Sequence, residues 1–108
     1  MDTIVVVQHY RRMLNPKEKA KELVDVIHKV ASDRILLRDF LIDILSPAEY
    51  QEIATRWQIV KQLTRGIPQR EIAKNLKVSV ATVGRGAREL LDEKGGFKRV
   101  LKRLSMSK

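Results

Sequence analysis

The chain contains no cysteine, which excludes disulfide frameworks, thiolate metal sites and thiol catalysis. Aromatic residues make up only 5%, a composition that suits an aliphatic helical protein. No apolar run approaches the ~18 residues that a membrane-spanning helix needs, so a membrane is not among the expected partners. The short apolar run Ile4–Val7 precedes Arg11 and Arg12, the wrong order for a signal peptide. A cytoplasmic location is therefore expected. No His–carboxylate pair, nucleophile–base pair or metal-ligand cluster stands out. His28 lies beside an apolar stripe with no evident partner and reads as a surface residue. No catalytic residue, metal or cofactor is expected, and the chain reads as something other than an enzyme.

What is present is positive charge, unevenly placed. The 108 residues suffice for one domain with a modest core. Residues 1–55 hold 8 Lys/Arg against 9 Asp/Glu, whereas residues 56–108 hold 14 against 4, a net of +10. A basic half of this kind is the electrostatic footprint of a surface that meets phosphate. Charge alone does not separate such a surface from a merely soluble basic one.

Residues 1–14 show no helical period and are expected to form a mobile arm. Residues 15–108 read as one helical domain of six helices, with no convincing strand, so the fold class is all-α. Asn15, Pro16 and Glu18 open the first helix as N-cap, first position and third position. Leu23, Ile27 and Val30 form its expected buried stripe, and it should end near Ala31–Ser32. Asp33 caps the second helix, whose Ile35, Leu36, Leu37, Phe40, Leu41, Ile44 and Leu45 exceed a single stripe. A helix this apolar needs cover on nearly all sides, and a small monomer offers little, so an intertwined homodimer is expected.

Ser46-Pro47-Ala48-Glu49 is a capping box. The helix it opens should run to about Arg65, stop at Gly66, and turn Ile53, Trp57, Val60 and Leu63 inward. Trp57 reads as a core or interface anchor, and Ile59 widens the apolar face. A final helix after Gly95-Gly96 places Phe97, Val100, Leu101 and Leu104 inward and Lys98, Arg99, Lys102 and Arg103 outward.

Between Pro68 and Leu91 the chain has the grammar of a helix-turn-helix. Ile72, Leu76, Val78 and Val83 are apolar anchors, Ala73 is the small residue where two helices meet, and Ser79 caps the second helix. Lys77 holds a turn position where glycine is favoured by up to ~1 kcal/mol. In such a unit the start of the second helix faces the major groove of double-stranded DNA. Here Ser79, Val80, Ala81, Thr82, Gly84 and Arg85 hold those positions, with Gln69 and Arg70 placed for the backbone. Few of these side chains read bases directly, so specificity leans on water-mediated contacts and DNA shape. Gly84 and Gly86 each cost a helix about 0.5–1 kcal/mol relative to alanine. Two such glycines imply that something approaches this backbone closely, either a packing helix or a flat ligand.

The segments LVDVIHKV, ILSPAEYQEIATRWQIVKQLTRG, QREIAKNLKVSVATVGRG and FKRVLKRL together resemble the tryptophan repressor family of bacterial amino-acid biosynthesis operons. That family is itself a standard example of operator-binding helix-turn-helix geometry and of water-mediated readout. The resemblance implies an intertwined helical dimer that binds operator DNA with L-tryptophan as corepressor. It implies that Arg56 and Arg85 flank the indole, that Arg85 also meets the ligand carboxylate, and that Gly86 leaves room for the ring. Leu45 and Ser46 would meet the ligand's polar end from the other subunit, and Glu89 would stand at a ligand-contacting position. The chain departs from the family pattern at Asp43, where leucine is favoured, at Glu89, where a small hydroxyl is usual, and at Gly84, where threonine is frequent. Its Gly66–Gln69 connection is one residue shorter. Two other readings remain at this stage. A regulator of the same fold could bind DNA constitutively or answer another ligand, and a helical protein-interaction module would show no salt-sensitive DNA affinity.

Overall fold

A computed structural model describes residues 13–106, which form six helices and, among those residues, no strand. Most of the expected arm, including Ile4–Val7, Arg11 and Arg12, lies outside the described residues. The helices are α1 (Pro16–Val30), α2 (Arg34–Ile44), α3 (Pro47–Thr64), α4 (Gln69–Leu76), α5 (Val80–Glu89) and α6 (Gly96–Met106). They fall into two compact units, Met1–Ile44 and Leu45–Lys108.

The first unit is a helix pair. Asn15 and Glu18 form a reciprocal capping box that starts α1: the Glu18 N–H donates to Asn15 Oδ1 at 2.9 Å and the Asn15 N–H to Glu18 Oε1 at 3.2 Å. Asp33 Oδ1 accepts from the Leu36 N–H at 3.1 Å and so caps α2. The two helices pack against each other, yet neither buries a single residue fully. Leu23 of the expected stripe is 41% exposed, and on α2 Ile35 is 65% and Ile42 53% exposed. The cover expected around α2 is thus not supplied by the described residues of its own unit, because two helices can shield only the faces they turn to each other.

The second unit contains the core. Ile59 of α3, Ile72 and Ala73 of α4 and Val83 of α5 are buried together, with Leu63, Ile67, Leu76 and Val78 packed around them. Burying each large aliphatic side chain is worth about 1.5–3 kcal/mol. Val60 is buried as well. Ile53, expected inward, is half exposed, whereas Val60, also expected inward, is buried; the buried residues of α3 lie only in its C-terminal half. Ile59, expected only to widen that face, is buried in the core.

Two helix ends in this unit close alike. After α3, Gly66 adopts φ +80°, its N–H donates to the Leu63 carbonyl at 3.0 Å, and the Ile67 N–H to Gln62 at 3.2 Å. After α4, Lys77 takes the same left-handed conformation, φ 57° and ψ 46°, and the Val78 N–H reaches the Ala73 carbonyl at 3.0 Å. This is the six-residue closure that usually recruits glycine, accepted here by lysine at a cost of about 1 kcal/mol. The final helix is tied back by Lys98, whose Nζ donates to the Leu90 carbonyl at 3.2 Å and pairs with Glu93 at 3.3 Å. Val100 and Leu104, expected inward, are about half exposed, while Phe97 and Leu101 are half-buried.

The start of α3 offers a test. Ser46 Oγ accepts from the Glu49 N–H at 3.1 Å, and the Ser46 N–H donates to Glu49 Oε1 at 2.8 Å. The Ser46 backbone N–H, and then its hydroxyl, hold the Glu49 carboxyl below its ordinary value of 4.5. Ser46→Ala is expected to cost about 1 kcal/mol at neutral pH. A carboxyl lowered in the folded state contributes stability that is complete above the unfolded pKa and is lost as pH falls through the folded one. The advantage of the native chain over Glu49→Gln in urea midpoint should therefore vanish on acidification; a gap independent of pH would contradict this account.

Candidate nucleic-acid interface and ligand cleft

α4 and α5 form a helix-turn-helix joined through Lys77, Val78 and Ser79. Pro68 precedes α4 as its N-cap residue rather than lying within it, consistent with its lack of an N–H. Ser79 caps α5 as expected: its Oγ accepts from the Thr82 N–H at 3.1 Å and lies 2.8 Å from Thr82 Oγ1. The Thr82 hydroxyl, expected to be available to DNA, is therefore engaged with the cap. α5 ends at Glu89, short of the expected Leu91, which is 80% exposed. Gln69, Arg70, Ser79, Val80, Ala81, Thr82 and Arg85 are all exposed, and Gly84 is half-buried. The apolar anchors Ile72 and Val83 are fully buried, so the unit is pinned from below while its polar and basic start faces outward.

A cleft of about 380 Å³ opens between α3 and α5. It brings together Arg56, Arg85, Gly86 and Glu89, four of the six residues expected at a ligand site. Leu45 and Ser46 do not line it, and the Ser46 hydroxyl and N–H are both committed to the capping box. The cleft adds residues that the sequence reading did not single out for a ligand: Glu52 and Thr55 on α3, Val78 in the turn, and Phe97 at the start of α6. Glu52 has a local signal, because it stands four residues before Arg56 on one helical face. Its Oε1 accepts from Arg56 Nη2 at 2.7 Å. Phe97 has no such local signal, since only the fold carries α6 to the cleft.

The two glycines of α5 prove different. A Cβ at Gly86 would lie 2.9 Å from Ile59 Cγ2 and 3.6 Å from Leu63 Cδ1. The close approach anticipated from the sequence is thus made at Gly86 by a packing helix. A Cβ at Gly84 would meet only Arg88 Nη1 at 3.6 Å and Gln69 Oε1 at 3.7 Å, both ordinary contacts. The atom that crowds Gly86 belongs to a buried β-branched side chain, which is stiff at χ1.

Gly84→Ala should accordingly raise stability by about 0.5–1 kcal/mol through helix propensity. Gly86→Ala should lower it by about 1–3 kcal/mol through overpacking. Urea midpoints of the two variants test this, and a gain at Gly86 or an equal loss at both would refute the assignment.

The family described as Trp repressor protein matches residues 18–105. A Trp operon repressor homolog of Mannheimia succiniciproducens is 48% identical over 54 residues, covering 49% of this chain and 54% of the relative. Its counterpart in Actinobacillus succinogenes is 44% identical over 54 residues with the same coverage. One from Haemophilus influenzae is 40% identical over 60 residues, covering 55% of this chain and 59% of the relative. The chain spans a little over half the length of these curated relatives. No solved structure matches it. With the family match extending over residues 18–105, the chain belongs to the Trp repressor family.

Proposed function

We propose that this protein is a transcriptional repressor that binds operator DNA as an intertwined homodimer and uses L-tryptophan as corepressor. The observation that carries the proposal is the position of Arg85. It lines the cleft and stands among the exposed residues at the start of α5, so one side chain serves both ligand and DNA. The names of the relatives, Trp operon repressor homologs, point the same way. Residues 15–108 act as one dimer-forming domain, and residues 1–14 as an arm. Among the described residues no helix is long and apolar enough to cross a membrane, and an operator-binding protein works in the cytoplasm.

In this reading Ser79, Val80, Ala81, Thr82 and Gly84 approach base edges, and Gln69 and Arg70 meet phosphates. The indole lies between the guanidinium planes of Arg56 and Arg85, a favourable stacking surface for an aromatic ring. Gly86 and Glu89 complete the cleft, and Leu45 and Ser46 reach the ligand from the second copy. Ligand bound between α3 and α5 favours the orientation of the α4–α5 head that fits DNA. It acts only to the extent that it binds that orientation more tightly.

The exposed apolar faces of α1 and α2 are the surfaces a second copy covers. The chain should sediment as a dimer, and Ile35→Glu with Ile42→Glu should convert it to monomer or unfold it. A dimer of unchanged stability in that double variant would place the interface elsewhere.

For the switch, duplex DNA selected from a random library in the presence of L-tryptophan serves as probe. Gel retention should strengthen as L-tryptophan is added and weaken steeply with salt. Retention indifferent to tryptophan would leave a constitutive DNA-binding protein. Arg85→Ala should weaken both tryptophan and DNA binding, each by about tenfold or more. Full activity of that variant in both assays would overturn the shared role of Arg85.

A further inference from the structure

The last helix carries a charge pattern that its own packing does not explain. Half of the net +10 of residues 56–108 lies in residues 96–108, which hold 5 Lys/Arg and no Asp/Glu. Four of these cations, Lys98, Arg99, Lys102 and Arg103, stand on α6. By helical period they lie opposite its apolar stripe. Lys98 and Lys102 are four residues apart, as are Arg99 and Arg103, so like charges neighbour each other across one turn and weaken the helix. Lys98 and Arg99 also stand within the first turn, where the helix dipole favours anions.

Compensation from within the protein is small. Lys98 Nζ donates to the Leu90 carbonyl at 3.2 Å, and Glu93 serves both Lys98 and Lys102, at 3.3 and 3.7 Å. Glu93 lies outside the helix, and one carboxylate offsets one of the two lysines. Arg99, Lys102 and Arg103 are exposed. A basic face that weakens its own helix and stands in water is accounted for by an anionic partner.

We propose that the exposed basic face of α6 is a second phosphate-contacting surface, which holds duplex DNA independently of sequence and of any ligand in the cleft. The choice of DNA rests on the helix-turn-helix reading above, since α6 and the helix-turn-helix belong to one compact unit. A cationic helix lying on an anionic membrane would have to insert its apolar face. In α6, however, Phe97 borders the cleft with Ile59, and Leu101 lines a groove with Leu63 and Leu90. Half of the apolar stripe is thus turned to the protein, and what α6 offers outward is chiefly charge. Contacts to phosphate carry no base information. The helix therefore adds affinity for any duplex and leaves discrimination to α5, and a protein held in this way can slide along DNA to its site.

Gel retention of a random-sequence duplex without L-tryptophan tests this on the full chain and its Arg99→Gln/Lys102→Gln variant. Both positions are exposed and glutamine is a good helix former, so circular dichroism should show the fold unchanged. The double variant should bind about tenfold or more weakly at low salt, and its slope of log affinity against log salt should shrink by about two. Arg99→Lys/Lys102→Arg should keep native retention, because either cation meets a phosphate. Affinity for the duplex selected with L-tryptophan should fall by the same factor, leaving the preference over random DNA unchanged. The same charge removed from α1, as Lys17→Gln/Lys19→Gln, should have a clearly smaller effect. Equal losses in the α6 and α1 variants would reduce the effect to net charge and overturn the inference. So would random-duplex retention unchanged in the α6 variant, or binding to phosphatidylserine vesicles that this variant abolishes while DNA retention stays intact. The random duplex needs no ligand, so a missing response to tryptophan would overturn the proposed switch and leave this inference standing.

Discussion

Ile59 presses its Cγ2 so close to the α5 backbone that a Cβ at Gly86 would stand 2.9 Å away, and this contact sets the spacing between α3 and α5. Ile59 is buried beside Ile72 and Val83. Arg56 lies one turn before Ile59 on α3, and Arg85 immediately precedes Gly86 on α5. The distance between the two cleft walls is therefore fixed by an apolar contact at its floor, not by the charged residues at its mouth. Because α4 packs on both α3 and α5, the same contact also anchors the helix-turn-helix. Cleft and helix-turn-helix share one foundation.

The cost of that arrangement is visible along α5. Gly86 gives up roughly 0.5–1 kcal/mol of helix propensity to admit Ile59, and Lys77 gives up a comparable amount in the turn before α5. The second unit tolerates both because its few buried side chains are each worth more than either loss. Among the described residues of the first unit no comparable source exists. α1 and α2 bury no residue fully, and apolar side chains such as Ile35 remain mostly in water. An apolar helix pair in that state gains stability only when something covers it.

Local chemistry was legible in the sequence and long-range choice was not. Asn15, Ser46 and Ser79 were readable as caps because capping involves atoms within three residues. The strained turn at Lys77 was readable for the same reason. Ile53 and Ile59 were not separable, since both fit an apolar face of α3 and only the docking of α4 and α5 decides which half of the helix is buried. Gly84 and Gly86 look alike in sequence, but one would meet only ordinary contacts while the other meets Ile59. At the cleft, Arg56, Arg85, Gly86 and Glu89 line one space. Phe97 was missed because no short-range pattern links it to a cleft floored by Ile59.

The charges of the cleft also bear on how a ligand could influence DNA. Glu52, Arg56, Arg85 and Glu89 sum to zero formal charge, although residues 56–108 carry a net +10. A zwitterion entering a neutral cleft changes neither its own net charge nor that of the surrounding basic half. Simple attraction of phosphate is thus left almost as it was. Any coupling must then pass through geometry, by a difference in ligand affinity between orientations of α5 relative to α3. The Ile59–Gly86 contact limits how far apart those two helices can move, because packed apolar interfaces shift between discrete arrangements rather than deform continuously. Small rotations of α5 about that contact would carry Arg85 and the exposed residues Ser79 to Thr82 together. On the proposed function, a neutral cleft built over a tight apolar pivot favours control by orientation, not by charge.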